Sequence, residues 1–244
     1  MNSLYEYKFN RNKCWYLDVC EYSQDIDNVC RISCPRYFKM DYLMWASNIP
    51  ENMQGREHLM PTAPDIKVFE RLKDIQRDLI NWVADGNNLY LYSEGFGNGK
   101  TSWALKLLKN YFNLIWQTTD ITCRGLFISV PIMLRTMKDI INLRNKKDSE
   151  SIKKVAYYDH LIDNLSKTDL VIWDDIGYAS ASDADFKFLS SYIEDRTIRK
   201  LSNIFTGNLS EDNIKKQLGS RLCQRIWNNS EVLEFRGISL RGLK

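Results

Sequence analysis

Short apolar runs and amphipathic stretches alternate along most of the chain. The apolar runs predict buried strands at 89–92, 126–130, 170–173, 203–206 and 232–235. Between them, apolar residues at three-to-four spacing predict helices at 101–112, 131–143, 183–196 and 211–218. Strands that alternate with helices are typical of a parallel sheet with helices on both faces. The pattern therefore predicts an α/β fold built on a parallel five-stranded sheet.

The chain before the first predicted strand divides into three parts. Segment 48–64 has three prolines, a glycine and no apolar period, which is typical of a linker. We therefore predict a small N-terminal domain at 1–47, a linker at 48–64 and the α/β domain at 65–244. A helix is predicted to open the α/β domain, with one apolar face formed by Val68, Leu72, Ile75, Leu79 and Trp82.

A glycine-rich turn joins the first predicted strand to the helix at 101–112. Its glycines allow successive backbone N–H groups to surround phosphate oxygens, and the helix start adds a positive dipole end. Lys100 is placed to reach the β- and γ-phosphates of ATP, and the Thr101 hydroxyl to bind Mg²⁺. Glu94 stands where the strict motif has glycine, and a turn that binds nothing is the alternative. The candidate nucleotide-binding residues are Gly95, Phe96, Gly97, Asn98, Gly99, Lys100, Thr101 and Ser102.

Two adjacent carboxylates follow the predicted strand at 170–173. Ligands bind at the carboxyl ends of strands in open α/β sheets. Asp174 therefore fits the Walker B residue, which binds the nucleotide through Mg²⁺, and Asp175 fits the catalytic residue that polarises the attacking water. A strand that ends in a solvated turn is the alternative.

Four of the six cysteines lie close together near the N-terminus, at Cys14, Cys20, Cys30 and Cys34. Four thiolates satisfy tetrahedral Zn²⁺, and a short segment rich in aromatic residues but poor in aliphatic ones is the kind that a structural metal stabilises. Exposed aromatic side chains in this segment would form a protein-binding face. Unligated thiols are the alternative.

The composition indicates a soluble protein. Hydrophobic residues make up 44% of the 244 residues and charged residues 27%. No apolar run approaches the about 18 residues that a membrane span needs, and the N-terminus lacks the apolar core of a signal peptide. We therefore expect a cytoplasmic protein with no membrane partner. The net charge of +3 is too small to argue for nucleic acid by itself.

A local basic stretch is the candidate for a DNA contact. Basic side chains can contact backbone phosphates of single-stranded DNA without reading its sequence. The alternative is a solvated loop, because the stretch also carries Asp148 and Glu150. The basic residues are Arg144, Lys146, Lys147, Lys153 and Lys154.

Further polar residues extend the candidate catalytic set. Asn208 follows the predicted strand at 203–206, where it could orient a water molecule against the γ-phosphate. Arg221 and Arg225 lie four residues apart and hence on one helix face. In an oligomeric ATPase, one such arginine can reach the γ-phosphate of a neighbouring subunit.

The order of these motifs resembles the replicative helicase loaders of the DnaC/DnaI type, a branch of the AAA+ ATPases. The similarity covers residues 89–241, with Asn208 at the sensor 1 position, 219–225 at the arginine-finger box and 237–241 as a short sensor 2 tail. It implies that Arg221 is the arginine finger and that Arg241 is sensor 2. Glu94, and Asp175 in place of the commoner glutamate, depart from the family pattern and bear on the rate of hydrolysis.

The resemblance implies an ATPase that uses ATP and Mg²⁺ to load a hexameric replicative helicase onto single-stranded DNA, in a bacterial cell or a phage-infected host. It also implies self-assembly through the AAA+ domain and a zinc-bearing helicase-binding domain at the N-terminus. The sequence ends nine residues after Phe235, so we expect no helical lid domain and weak hydrolysis without partners. An IstB-type transposase-helper ATPase, and an adaptor whose shape nucleotide merely locks, are the alternatives.

Overall fold

A parallel sheet of five strands forms the centre of the computed structural model, which describes residues 12, 14–24, 30, 34–57, 59–117, 123–177 and 182–237. Every strand pair is parallel, and the strand order is β2-β3-β4-β1-β5. This confirms the predicted α/β fold with a parallel five-stranded sheet. The strands are β1 (Asn88–Tyr92), β2 (Gly125–Ser129), β3 (Leu170–Ile176), β4 (Ser202–Gly207) and β5 (Glu231–Glu234).

Helices connect and cover the strands. None of those in the described ranges combines the length and the apolar character that a membrane span requires. They are α1 (Pro35–Ala46), α2 (Ile66–Arg77), α3 (Leu79–Ala84), α4 (Lys100–Ile115), α5 (Val130–Leu143), α6 (Ser149–Leu165), α7 (Asp183–Ile198), α8 (Glu211–Leu218) and α9 (Ser220–Cys223). A π-helical turn, Gln224–Asn228, continues α9.

The helix predicted before β1 is broken at Asp78. This residue adopts φ −115° and ψ 32°, and its carboxylate accepts a hydrogen bond of 2.7 Å from the Asn81 side chain. An aspartate whose side chain bonds locally competes with the helical backbone. The apolar period continues through the break into α3, because Leu72 and Leu79 are both fully buried.

Alternate residues of each strand contribute to two hydrophobic clusters, one on each face of the sheet. Leu89 and Leu91 of β1 belong to the cluster that α2, α3 and α4 cover. Tyr90 and Tyr92 belong to the opposite cluster, which α5 and α7 cover. Because strand side chains alternate between faces, apolar residues at successive positions are buried on both sides.

The N-terminal part of the chain packs on the first of these clusters. Tyr16, together with Met40, Leu43 and Met44 of α1, belongs to the same buried cluster as Trp103 of α4. The segment at 1–47 has few aliphatic residues, and the described part of it shares the core of the α/β domain. Apolar contacts therefore join the predicted N-terminal domain to the predicted α/β domain.

Lys109 of α4 anchors the segment predicted as a linker. Its side chain is fully buried, and its Nζ donates hydrogen bonds to the carbonyls of Met53 (2.6 Å) and Gly55 and to the carboxylate of Glu57. Burial lowers the pKa of Lys109 and raises the pKa of Glu57. The Nζ also lies 5.9 Å from the ring centroid of Trp15. Residues 53–57 are thus fixed to the α/β domain.

Ser47 and Asn48 cap the edge strand β2. The Phe127 amide donates to the Ser47 carbonyl at 2.8 Å, and the Asn48 side-chain amide donates to the Phe127 carbonyl at 3.1 Å. The Tyr157 hydroxyl of α6 holds Asn48 through a hydrogen bond of 2.6 Å. These contacts occupy edge groups that would otherwise be open to pairing with another strand.

A buried arginine fixes β3 and β4 where they enter the sheet. The Arg196 side chain is fully buried and donates to the carbonyls of Leu165 (2.6 Å), Thr168 (2.9 Å) and Ser202 (2.6 Å) and to the Asn203 side chain (2.7 Å). Burial lowers the pKa of Arg196 to about 9. The carboxyl ends of the same strands carry the candidate site.

Candidate nucleotide-binding and hydrolysis site

The glycine-rich turn between β1 and α4 has the backbone conformation of a tight cradle. Gly97 has φ 76° and Gly99 has φ 93°, and both values lie in the left-handed region that side chains disfavour. Gly99 is the residue immediately before α4, so the helix begins at Lys100. The amino-terminal end of a sixteen-residue helix is therefore directed at the turn.

Lys100 lies inside the turn. Its side chain is buried, and Nζ donates to the Gly95 carbonyl at 2.9 Å and to the Asn98 side-chain oxygen at 3.0 Å. The Asn98 amide in turn donates to the Ser93 hydroxyl. Glu94 lies outside this network, where its exposed carboxylate accepts from the Tyr92 hydroxyl at 3.4 Å. The departure at Glu94 thus leaves the hydrogen bonds of the cradle intact.

Thr101 and Asp174, the two predicted Mg²⁺ residues, are in direct contact. The Thr101 hydroxyl donates to Asp174 Oδ1 at 2.7 Å. Burial is the largest influence on the pKa of Asp174 and raises it, against the lowering effects of its two hydroxyl donors and of Lys100. The hydroxyl and the carboxylate supply oxygen ligands, which Mg²⁺ prefers, and the neighbouring lysine suits the phosphates that bind the same ion.

Asp175 has an unusual backbone conformation. It is a non-glycine residue with φ 58°, and it lies where the register of β3 against β4 shifts. Two residues of β3, Asp174 and Asp175, oppose the single residue Thr206 of β4, because Trp173 pairs with Phe205 and Ile176 with Gly207. This is a β-bulge at the predicted Walker B residues.

Thr206 is a site residue that the sequence analysis missed. Its hydroxyl donates to Asp174 Oδ1 at 2.7 Å and accepts from the Asp175 amide at 3.0 Å. Its role follows from the position of β4 beside β3 in the sheet, which no sequence motif indicates.

Asn208 lies one residue beyond β4 and is half-buried. Within the described residues, its side chain has no hydrogen-bond partner. Strand β4 lies between β3 and β1 in the sheet. The glycine-rich turn, the two aspartates and Asn208 therefore meet at the carboxyl edge of three adjacent strands, where ligands bind in such folds.

Arg221 and Arg225 share one carboxylate partner, which supports their placement on one helix face. Glu194 Oε1 of α7 lies 2.6 Å from Arg221 Nη2 and 3.6 Å from Arg225 Nη2. The hydrogen bond from Arg221 lowers the pKa of Glu194. The Arg221 side chain is 72% exposed and the Arg225 side chain 25%. Arg241 lies outside the described residues.

The predicted basic stretch spans the α5–α6 connection and the first turns of α6. Arg144 pairs with Asp159 at 2.5 Å, and Lys154 pairs with Glu150 at 2.7 Å. Three further lysines are exposed and have no acidic partner among the described residues. They are Lys146, Lys147 and Lys153.

The four N-terminal cysteines are half-buried free thiols. Burial raises the pKa of Cys14 most strongly, and the charges of the other three cysteines raise it further. Each of the other three thiols therefore lies within electrostatic range of Cys14. In the described part of the chain, however, no three metal-binding side chains are arranged as a metal site.

Comparisons with known proteins establish the fold. No family model and no curated protein matches the sequence. Among solved structures, the chain is similar to the DnaC helicase loader, with a TM-score of 0.59 and 17% identity over 77% of this chain and 100% of that one. It is also similar to DnaI, with a TM-score of 0.56 and 18% identity over 80% of this chain and 95% of that one.

Replication initiators share the same fold over a smaller part of their length. DnaA bound to AMPPCP and single-stranded DNA has a TM-score of 0.54 and 13% identity over 74% of this chain and 49% of that one. DnaA from Aquifex aeolicus bound to AMPPCP has a TM-score of 0.53 and 13% identity. The resemblance drawn from the motifs is thus confirmed at the level of the fold, and the chain shares the fold of the DnaC helicase loader, of DnaI and of DnaA.

Proposed function

We propose that this protein is an ATPase that loads a hexameric replicative helicase onto single-stranded DNA as an ATP-gated switch. One observation carries the proposal. Lys100 and the contact between Thr101 and Asp174 lie at the carboxyl edge of a sheet whose fold is that of helicase loaders. The fold alone does not fix an activity, so the proposal rests on these side chains and their chemistry.

The residues of the cradle have distinct roles in ATP binding. Lys100 exchanges the Gly95 and Asn98 oxygens for oxygens of the β- and γ-phosphates, and the amide groups of the turn bind the same phosphates. Thr101 and Asp174 would hold Mg²⁺, and the bound ion would neutralise charge on the phosphates. Asp175 polarises the attacking water, and Asn208 orients it.

Arginines complete the site between subunits. Arg221 is exposed and held by a single carboxylate, so it is available to the nucleotide of a neighbouring subunit once the molecules assemble. Arg241 is proposed to contact the γ-phosphate as sensor 2. Because hydrolysis then depends on assembly, ATP turnover reports that subunits are in place on their partners.

Single-stranded DNA is the proposed second ligand. Lys146, Lys147 and Lys153 form an exposed set of cations without acidic partners in the described chain. A similar structure, DnaA, is described as bound to single-stranded DNA. Such lysines contact phosphates in any sequence, and binding weakens with salt.

Cys14, Cys20, Cys30 and Cys34 are the proposed ligands of a structural Zn²⁺ in a helicase-docking segment. The electrostatic influence of the other three thiols on Cys14 supports the proposal, because a structural Zn²⁺ site takes four such ligands. Metal analysis of the full chain is expected to find zinc that a Cys14→Ser, Cys34→Ser double variant loses. A folded wild-type chain without zinc would remove the metal from the proposal.

A loading assay with the full chain tests the function. The protein is mixed with the replicative helicase from the same source, ATP and circular single-stranded DNA that carries a labelled oligonucleotide with an unpaired tail. A closed circle offers no end for a ring to thread, so displacement of the oligonucleotide reports loading. We expect the protein to accelerate displacement in the presence of ATP.

Variants connect loading to the site. Lys100→Ala is expected to abolish ATP binding and loading, whereas Lys67→Ala, an exposed lysine of α2, is the matched control. Asp175→Asn is expected to keep ATP binding while hydrolysis falls about 100-fold or more. ATP turnover that transposase and DNA stimulate, without any effect on helicase, would favour the transposase-helper alternative. ATP binding without turnover in every mixture would favour the adaptor.

A further inference from the structure

Thr206 is the side chain that connects the two acidic residues of the site. It is 2% exposed, and its single hydroxyl makes two hydrogen bonds. It donates to Asp174 Oδ1 at 2.7 Å and accepts from the Asp175 amide at 3.0 Å. A hydroxyl has one proton to donate and lone pairs to accept, so both bonds form at once.

The β-bulge explains why a side chain, and not a backbone carbonyl, accepts the hydrogen bond from the Asp175 amide. In a regular parallel ladder, the amide of a β3 residue donates to a backbone carbonyl of β4. At the bulge, two residues of β3 oppose one of β4, and the Asp175 amide donates to the Thr206 hydroxyl instead. Asp175 is held at φ 58°, in the left-handed region that non-glycine residues adopt uncommonly, although aspartate adopts it more readily than most.

We propose that Thr206 is a positioning residue for hydrolysis, which fixes the Mg²⁺ carboxylate of Asp174 and the backbone of Asp175 relative to each other. The inference rests on the proposed ATPase function. Strand alternation alone would direct neighbouring side chains to opposite faces. At the bulge this alternation is interrupted, and the hydrogen bonds of Thr206 instead set the relative position of Asp174 and Asp175.

If Thr206 served only to fill space, a side chain of the same shape without a hydroxyl would replace it. Valine has nearly the shape of threonine and would fill the same buried volume, but it offers neither a donor nor an acceptor. Serine keeps the hydroxyl and lacks the methyl group. The pair Thr206→Val and Thr206→Ser therefore separates the hydrogen bonds from the packing.

Kinetics of the full chain with DNA and helicase provide the first measurement. Thr206→Val is expected to bind ATP within about threefold of wild type, while kcat falls roughly ten- to a hundredfold, because small displacements of a catalytic group have effects of this size. Thr206→Ser is expected to retain most of kcat. Equal kcat values for wild type and Thr206→Val, or equal losses in both variants, would overturn the inference.

A Mg²⁺ titration provides a readout that does not depend on turnover. Binding of a fluorescent ATP analogue is measured at increasing Mg²⁺ concentration. The Mg²⁺ concentration for half-maximal binding is expected to rise several-fold in Thr206→Val and to stay near the wild-type value in Thr206→Ser. Unchanged values in both variants would contradict a role at Asp174.

The Lys100→Ala variant distinguishes a failure of the Thr206 inference from a failure of the proposed ATPase function. Loss of turnover in Lys100→Ala together with normal turnover in Thr206→Val would refute the role of Thr206 and leave the ATPase intact. If wild type and Lys100→Ala hydrolysed ATP equally, the proposed function would fail. The Mg²⁺ titration would then still decide whether Thr206 positions Asp174.

Discussion

Glu194 restrains two arginines of the predicted arginine-finger box with one carboxylate oxygen, at 2.6 Å from Arg221 and 3.6 Å from Arg225. The Arg221 end of this ion pair is largely exposed. Exposed ion pairs contribute at most about 1 kcal/mol, whereas an arginine finger accelerates hydrolysis about 10³-fold or more. If Arg221 is the arginine finger, as proposed, the energy gained at the neighbouring nucleotide outweighs the cost of separating Arg221 from Glu194.

These magnitudes predict different effects for the two partners. Arg221→Ala is expected to reduce turnover of the assembled protein about 10³-fold, whereas Glu194→Gln changes it less than about fivefold. Mixing Arg221→Ala with Lys100→Ala subunits should restore part of the activity, because an intact arginine then faces an intact nucleotide site. Absence of recovery, with assembly preserved, would place Arg221 in its own subunit's chemistry or outside it.

The candidate site residues that the sequence indicated belong to motifs whose members lie close together along the chain. The predicted strands and turns indicated the motifs that contain Lys100, Thr101 and Asp174. The structure brings these residues together. The role of Thr206 depends on a neighbouring strand and on a register shift, and neither is encoded in the residues beside it. Arg196 is similar, because its partners lie in other elements and only the fold gathers them.

At the scale of elements, α6 shows why the sequence analysis overlooked a seventeen-residue helix. Its buried side chains are Ser151, Tyr158 and Leu165, seven residues apart. Such a face is too narrow to produce the apolar period of a core helix. Asp148 caps the helix through a hydrogen bond of 2.8 Å from the Ser151 amide. Asp148, which the alternative interpretation placed in a solvated loop, is thus the start of a helix.

The basic stretch around the start of this helix contains both paired and unpaired cations, and this predicts a graded effect on DNA binding. Replacement of Lys146, Lys147 and Lys153 by Gln is expected to weaken binding of single-stranded DNA. The slope of log affinity against log salt should decrease in magnitude by about 2, because each phosphate that a lysine no longer neutralises removes about 0.7 from it.

Paired cations of the stretch provide the control for that experiment. Arg144→Gln and Lys154→Gln remove charges that Asp159 and Glu150 already offset, so they should change the slope less. An unchanged slope in the triple variant would exclude this stretch from the DNA contact. Filter binding or fluorescence anisotropy at several salt concentrations measures the slope.

On the scale of the whole molecule, the N-terminal part and the α/β domain share one hydrophobic cluster. The sequence predicted separate parts because prolines and the absence of an apolar period indicate a linker. It could not show that Lys109 binds the carbonyls of residues 53 and 55, or that α1 packs on the α/β domain. The strands, in contrast, were predictable, because burial on both faces leaves continuous apolar runs.

A substitution in α1 should therefore destabilise the whole molecule. Met40 is 1% exposed in the shared cluster, and Met40→Ala is expected to reduce the free energy of unfolding by about 2–5 kcal/mol. Val19→Ala, at a residue that is 65% exposed, is the control and should change it by less than about 0.5 kcal/mol.

Denaturant unfolding of the full chain, followed by circular dichroism and by nucleotide binding, measures this effect. Both signals should shift together in Met40→Ala, since the buried residues form one cluster. A shift in dichroism with an unchanged transition for nucleotide binding would mean that the N-terminal part unfolds on its own.

Helix α4 connects the two ends of the proposed switch. Lys100 begins the helix inside the phosphate cradle, and Lys109, about 14 Å along its axis, holds the segment next to the N-terminal part. One helix thus carries both the lysine of the cradle and the lysine that holds residues 53–57. If a partner bound to the N-terminal part raises the affinity for ATP by some factor, ATP must raise the affinity for that partner by the same factor. Binding of the partner and binding of the nucleotide would then be coupled through the single helix α4.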